Sequence, residues 1–120
     1  MRILIVDDSK AMRLIVMRAL RQAGYGEHTL VEATDGAEAL AMIQGTVPDL
    51  VLSDWNMPKM SGIDLLRSVT SNGIKVKFGF VTSEGTAEMR QMAIDAGALF
   101  VITKPFSPEI FRETLAAVAA

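Results

Sequence analysis

Five short apolar runs, each followed by a longer stretch of helical spacing, set the limits on what this chain can fold into. The runs are "RILIV" (2 to 6), "TLVEA" (29 to 33), "DLVLS" (49 to 53), "KFGFV" (77 to 81) and "ALFVI" (98 to 102). Each has the length and the branched or aromatic content of a strand, while the segments between them place apolar residues three and four apart, as helices do. Near-continuous apolar strands separated by helices predict a parallel sheet covered on both faces and wound through right-handed crossovers. The expected fold class is a three-layer α/β sandwich.

The helical stretches have legible faces and ends. The first carries Met12, Ile15, Val16, Ala19, Leu20 and Ala23 on one side and ends at Gly24. The second, 35 to 45, opens at Asp35 and closes at Gly45. The third runs from about Ile63 to Ser71 with Ile63, Leu66 and Val69 inward. The fourth spans Glu84 to Ala96, turning Met89, Met92, Ala93 and Ala96 to the core before Gly97 stops it. In the last, Ser107 is the expected cap, Pro108 the first helical residue, and Phe111, Leu115 and Val118 the inner stripe. With 120 residues and no Pro/Ser-rich linker or charge block, residues 1-120 read as one domain.

Composition removes several function classes. Half the residues are apolar and 22% are charged, as in a packed globule. A net charge of −2 with scattered Lys and Arg lacks the basic footprint of direct nucleic-acid binding. The absence of cysteine excludes disulfides and thiolate metal sites. The apolar run Ile3 to Val6 is cut off by two aspartates, well short of the roughly 7 to 15 residues of a signal peptide. No run approaches the roughly 20 residues of a membrane span, so the expectation is a cytoplasmic protein without membrane insertion.

In sheets of this kind, sites lie beyond the carboxyl ends of the strands. There the chain places Asp7 and Asp8, then Asp54, then Thr82 with Ser83 and Glu84, and finally Lys104 with Pro105. Each has a local reading: the aspartates and hydroxyls as helix caps, Asp54 as a turn former before Pro58, Lys104 as a solvated surface charge. The local account needs a separate coincidence at each strand end, whereas a single site explains all of them. If strands one and three are neighbours, three carboxylates crowd together and raise one another's pKa unless a cation binds. Oxygen-only ligands suit Mg²⁺, which leaves positions for phosphate oxygens. Lys104 then supplies a point charge for a phosphoryl group, Thr82 a hydrogen bond, and Asp54 the nucleophile.

The ordered set "IVDDS", "VLSDWNMPKMSG", "VTSE" and "KPF" resembles the receiver domain of two-component response regulators, over essentially the whole chain. "DDSKAMRLIV" and "SDWNMP" are most similar to that family's single-domain chemotaxis members. The resemblance implies a flavodoxin-like (βα)5 fold with strand order 2-1-3-4-5 and a phosphoryl group accepted from a histidine kinase on Asp54. It also implies Mg²⁺ held by Asp7, Asp8, Asp54 and the backbone carbonyl of Asn56, with Thr82 and Lys104 as switch residues. By the same resemblance Asn56 and Glu84 tune dephosphorylation, and the Lys104 to Pro105 bond is cis. Such a domain signals by phosphorylation-dependent binding to a downstream target protein or phosphatase.

Two positions depart from the pattern. The family has Tyr or Phe three residues before the lysine, and this chain has Val101; Phe100 is one position off and points to the other face. Ser83 stands where Ala is common. The family uses the surface of helix four, strand five and helix five for partners, so the resemblance makes Ala87, Arg90 and Ile94 of the outer stripe of the fourth helix, with Val101, a candidate partner surface. Four other readings are weighed. The chain could be the receiver of a larger, for example DNA-binding, regulator, or a phosphate sink. A phosphatase of the haloacid dehalogenase type would want D-x-D after the first strand, and a nucleotide binder a glycine-rich loop there; "DDSKAMR" has neither.

Overall fold

The computed structural model describes residues 1–119. Its single sheet is parallel, with strands β1 (Arg2–Val6), β2 (Thr29–Ala33), β3 (Leu50–Ser53), β4 (Lys77–Thr82) and β5 (Phe100–Thr103) in the order β2-β1-β3-β4-β5. The helices between and after them are α1 (Lys10–Leu20), α2 (Gly36–Gly45), α3 (Gly62–Ser71), α4 (Ala87–Ala96) and α5 (Pro108–Ala119). This is the flavodoxin-like α/β fold, with the strand order expected from the resemblance.

Period-two alternation divides the strands between two cores. Ile3, Ile5, Leu50, Leu52, Val81 and Ile102 face α1 and α5, where they meet Val16, Leu20, Phe111 and Leu115. Leu4, Val6, Val51, Phe78 and Phe80 face the other way, against Ala39 and Ile43 of α2, Leu66 and Val69 of α3, and Ala93 of α4. Because both sheet faces are covered, only the strand ends are left open for chemistry.

Several helix limits follow the expected signals. Asp35 caps α2 by accepting from the Glu38 N–H at 2.8 Å, and Gly97 ends α4 in the left-handed conformation with φ 110°. Pro108 is the first residue of α5, and Phe111 and Leu115 are fully buried. The strands are displaced slightly: β4 takes in Thr82, and β5 begins at Phe100 rather than at 98.

Two faces differ from the sequence-based expectation. On α1, Val16, Ala19 and Leu20 are buried, and so is Ala23 beyond the helix end, but Ile15 is 49% exposed and its place in the stripe goes to Arg13 and Met17. Ser9 caps the helix, accepting from the Met12 N–H at 3.2 Å, and a widened turn over Arg21–Tyr25 takes up the stretch around Gly24, whose φ is 99°. Helix α4 starts at Ala87 with Thr86 as cap, not at Glu84, and buries only Ala93 fully; Met92 is exposed. Residues Ser83 to Gly85 therefore remain a loop beside the strand ends.

Gly62 fixes the return of the chain after β3. A Cβ there would lie 2.1 Å from the Asp54 carbonyl oxygen and 2.8 Å from the Phe80 ring, and its N–H donates to the Trp55 carbonyl at 2.8 Å. Gly62→Ala is expected to cost about 1–3 kcal/mol through forced backbone displacement, read as a lower urea midpoint with unchanged slope; an unaltered midpoint would contradict this packing.

Candidate functional site

Three charged residues stand one position beyond their strands, each tied to the adjacent strand by its own backbone. The Asp7 N–H donates to the last carbonyl of β2 (Ala33, 3.2 Å), the Asp54 N–H to the last of β1 (Val6, 2.9 Å), and the Lys104 N–H to the last of β4 (Thr82, 2.8 Å). The ladder thus continues one step past the hydrophobic sheet and sets all three at the same open edge. The Lys104–Pro105 peptide bond is cis.

Side chains converge from there. The Lys104 Nζ lies 3.2 Å from Asp7 Oδ2 and 3.6 Å from Asp54 Oδ2. Oxygens of Asp7, Asp8 and Asp54 all fall within 4.8 Å of one another, with Asp7 buried, Asp54 half-buried and Asp8 exposed. Three hard oxygen donors in a graded pocket, open at Asp8, could hold a metal ion, and their chemistry fits Mg²⁺. The remaining oxygens are oriented by backbone: Asp54 Oδ1 accepts from the Trp55 N–H at 2.7 Å, and Asp7 Oδ1 from the Ser9 N–H at 2.9 Å. Thus Ser9, rather than either aspartate, caps α1.

Burial pushes the Asp54 carboxyl above its ordinary pKa, with the Asp7 charge adding to the effect; Lys104, the Trp55 N–H and the Thr82 hydroxyl oppose it without reversing it. Thr82 is buried at the end of β4, and its Oγ accepts from the Glu84 N–H at 3.2 Å. The side chains of Asn56 and Glu84 are exposed at the rim and are not drawn into the cluster.

Ala87, Arg90 and Ile94 form an outer stripe of α4, with Ile94 51% exposed. Val101 instead packs toward the α2–α4 core, and Phe100 toward α1 and α5. The Phe100 ring covers Gly79, where a Cβ would lie 2.1 Å from it, so β5's aromatic ring is committed to the face away from α4. Arg90 crosses to β5 instead: its Nε donates to the Gly85 carbonyl at 3.2 Å and its Nη1 to the Val101 carbonyl at 3.3 Å. It borders a groove of about 430 Å³ with Val101, Thr103, Phe106 and Ile110.

Residues that pattern reading passed over complete the site. Ser53 donates to the Asp54 carbonyl at 2.8 Å, and Arg13 donates to that of Asp7 at 2.8 Å. Arg13 had a signal in the sequence: a charged residue in register with the apolar positions Val16 and Leu20. A short polar residue such as Ser53 inside an apolar strand carries a weaker one.

The model of the response regulator receiver domain matches residues 3–116, and the chain belongs to that family. It is 36% identical to chemotaxis protein CheY1 of Helicobacter pylori, covering 98% of this chain and 96% of that one. It is 40% identical to chemotaxis protein CheY-3 of Vibrio cholerae, covering 96% and 88%. The solved structure of Vibrio cholerae chemotaxis protein CheY4 superposes with a TM-score of 0.85 at 34% identity, over 98% of this chain and 97% of that one. Among the described residues no helix is long and apolar enough to cross a membrane.

The raised Asp54 pKa has a consequence for stability. The folded chain binds that proton more tightly than the unfolded chain, so the contribution is complete below the ordinary value of 3.8 and is lost as pH rises through the raised one. Asp54→Asn, always neutral, is therefore expected to melt above wild type at neutral pH without divalent cations, the difference closing in acid. Equal melting temperatures at neutral pH, or a gap that persists in acid, would contradict this.

Proposed function

We propose that the chain is a phosphorylatable receiver in which Asp54 accepts a phosphoryl group from a histidine kinase, and that residues 1-120 act as one such domain. The observation that carries the reading is the placing of one ammonium, Lys104, between Asp7 and Asp54 at the carboxyl edge of a parallel sheet. An Asp54 carboxylate oxygen attacks phosphorus in line; the bond from phosphorus to the kinase imidazole breaks, and the imidazole nitrogen keeps the electron pair. Asp7, Asp8, Asp54 and the backbone carbonyl of Asn56 would hold Mg²⁺, which neutralises charge on the phosphoryl oxygens and favours the ionised form of Asp54.

In this reading Lys104 turns from the carboxylates to a phosphoryl oxygen, and Thr82 donates to another. The Glu84 N–H is bonded to the Thr82 oxygen, so rotation of that hydroxyl is felt in the loop ahead of α4. Asn56 and Glu84, exposed at the mouth, govern how water reaches the phosphoaspartate. The output is binding to a downstream target protein or phosphatase through Ala87, Arg90, Ile94 and Val101, of the chemotaxis kind. Identities of 36% and 40% to chemotaxis proteins over nearly the whole chain support that role. With Val101 in place of a ring, the reporter on this face is the Arg90 bridge from Gly85 to Val101 rather than an aromatic side chain.

Intact-mass analysis after incubation with Mg²⁺ and acetyl phosphate tests the chemistry. One phosphoryl adduct is expected on wild type, and none after chelation or in Asp54→Ala. An adduct that survives Asp54→Ala would move the nucleophile elsewhere.

A further inference from the structure

Arg13 is a cation in a hydrophobic stripe, 9% exposed, between the core face of α1 and the sheet. Its two bonds leave the helix altogether. Nη1 donates to the Asp7 carbonyl at 2.8 Å, and Nε to Glu32 Oε1, on edge strand β2, at 2.9 Å. The other polar groups of Asp7 are also engaged: its N–H on Ala33, Oδ1 on the Ser9 N–H, and Oδ2 facing Lys104. Arg13 is thus the fourth tie on a single residue, and the one that satisfies its buried carbonyl.

Packing alone does not account for a guanidinium here. An apolar side chain would fill the stripe without the cost of desolvating a guanidinium, whose partner Glu32 is itself 40% exposed. A positive charge beside a carboxylate cluster also works against binding of a cation. What a planar fork provides, and an apolar residue or a freely rotating ammonium does not, is two donors held at a fixed spacing and direction to their acceptors. Its other acceptor is the carboxylate of Glu32, which cancels its charge.

We propose that Arg13 is a positioning residue for the divalent cation: it fixes the main chain of Asp7 so that the Asp7 carboxylate meets the metal in one orientation. Glu32 holds the guanidinium in place and neutralises it. The inference rests on reading Asp7, Asp8 and Asp54 as the Mg²⁺ site. Outer partners that orient a metal ligand are commonly worth about 10–100-fold in affinity.

The test is Mg²⁺ titration of the full chain followed by the fluorescence of Trp55, its one tryptophan, whose backbone N–H donates to Asp54 Oδ1. Circular dichroism of each variant checks folding. Arg13→Gln and Arg13→Lys are both expected to weaken Mg²⁺ binding about tenfold. The direction is diagnostic for Arg13→Gln, since loss of a positive charge alone would tighten binding. Arg13→Lys keeps the charge, is the milder change for folding, and decides the matter if Arg13→Gln does not fold. Wild-type affinity or tighter binding in the folded variants would overturn the proposal. If wild type shows no Mg²⁺ response that Asp7→Asn abolishes, the metal reading itself fails and the inference falls with it.

Discussion

An ammonium held between two carboxylates organises the open edge of this sheet. Asp7 and Asp54 come from neighbouring strands and would repel each other in a half-buried pocket; Lys104, entering from β5, stands 3.2 Å from one and 3.6 Å from the other. Burial, with a smaller push from the Asp7 charge, still holds the Asp54 proton more tightly than usual despite the lysine. A site balanced in this way is short of positive charge and has oxygens to offer. Those are the two properties that a divalent cation and a phosphoryl group require.

The arrangement depends on sheet register more than on loop geometry. Asp7, Asp54 and Lys104 each extend the backbone ladder by one residue, so the hydrophobic strands position the charged groups directly. A slip of one residue in any strand would turn these side chains to the other face. Gly62 serves the same end by letting α3 approach the Asp54 carbonyl closely enough to bring the chain back over Phe80.

How much of this could be read in the sequence varies with the kind of interaction. The α/β layering and the residues Asp7, Asp8, Asp54, Thr82 and Lys104 were legible, because strand ends are marked by an abrupt change from apolar to polar. The faces of α1 and α4 were only partly so. Ile15 has the spacing of a core residue and Met92 likewise, yet both are exposed, because the buried faces centre on Val16 and Leu20 in α1 and on Ala93 in α4. Arg13 was legible as a charge at a core spacing but its role was not, because its partners lie outside α1, at Asp7 and at Glu32, 19 residues away. Spacing along a helix says which face a residue is on, and nothing about which distant acceptor waits there.

The β5 edge joins the site to the surface. Phe100 covers Gly79 on one face of the sheet, Val101 leaves the other without a ring, and Arg90 reaches across from α4 to the Val101 carbonyl. In the proposed reading, a signal on this edge begins with phosphorylation of one residue. Borohydride reduction after treatment with acetyl phosphate and Mg²⁺ converts an aspartyl phosphate to homoserine, and peptide mapping then locates it. The account predicts homoserine at position 54 alone. Homoserine at position 7 or 8, or none at all, would contradict it.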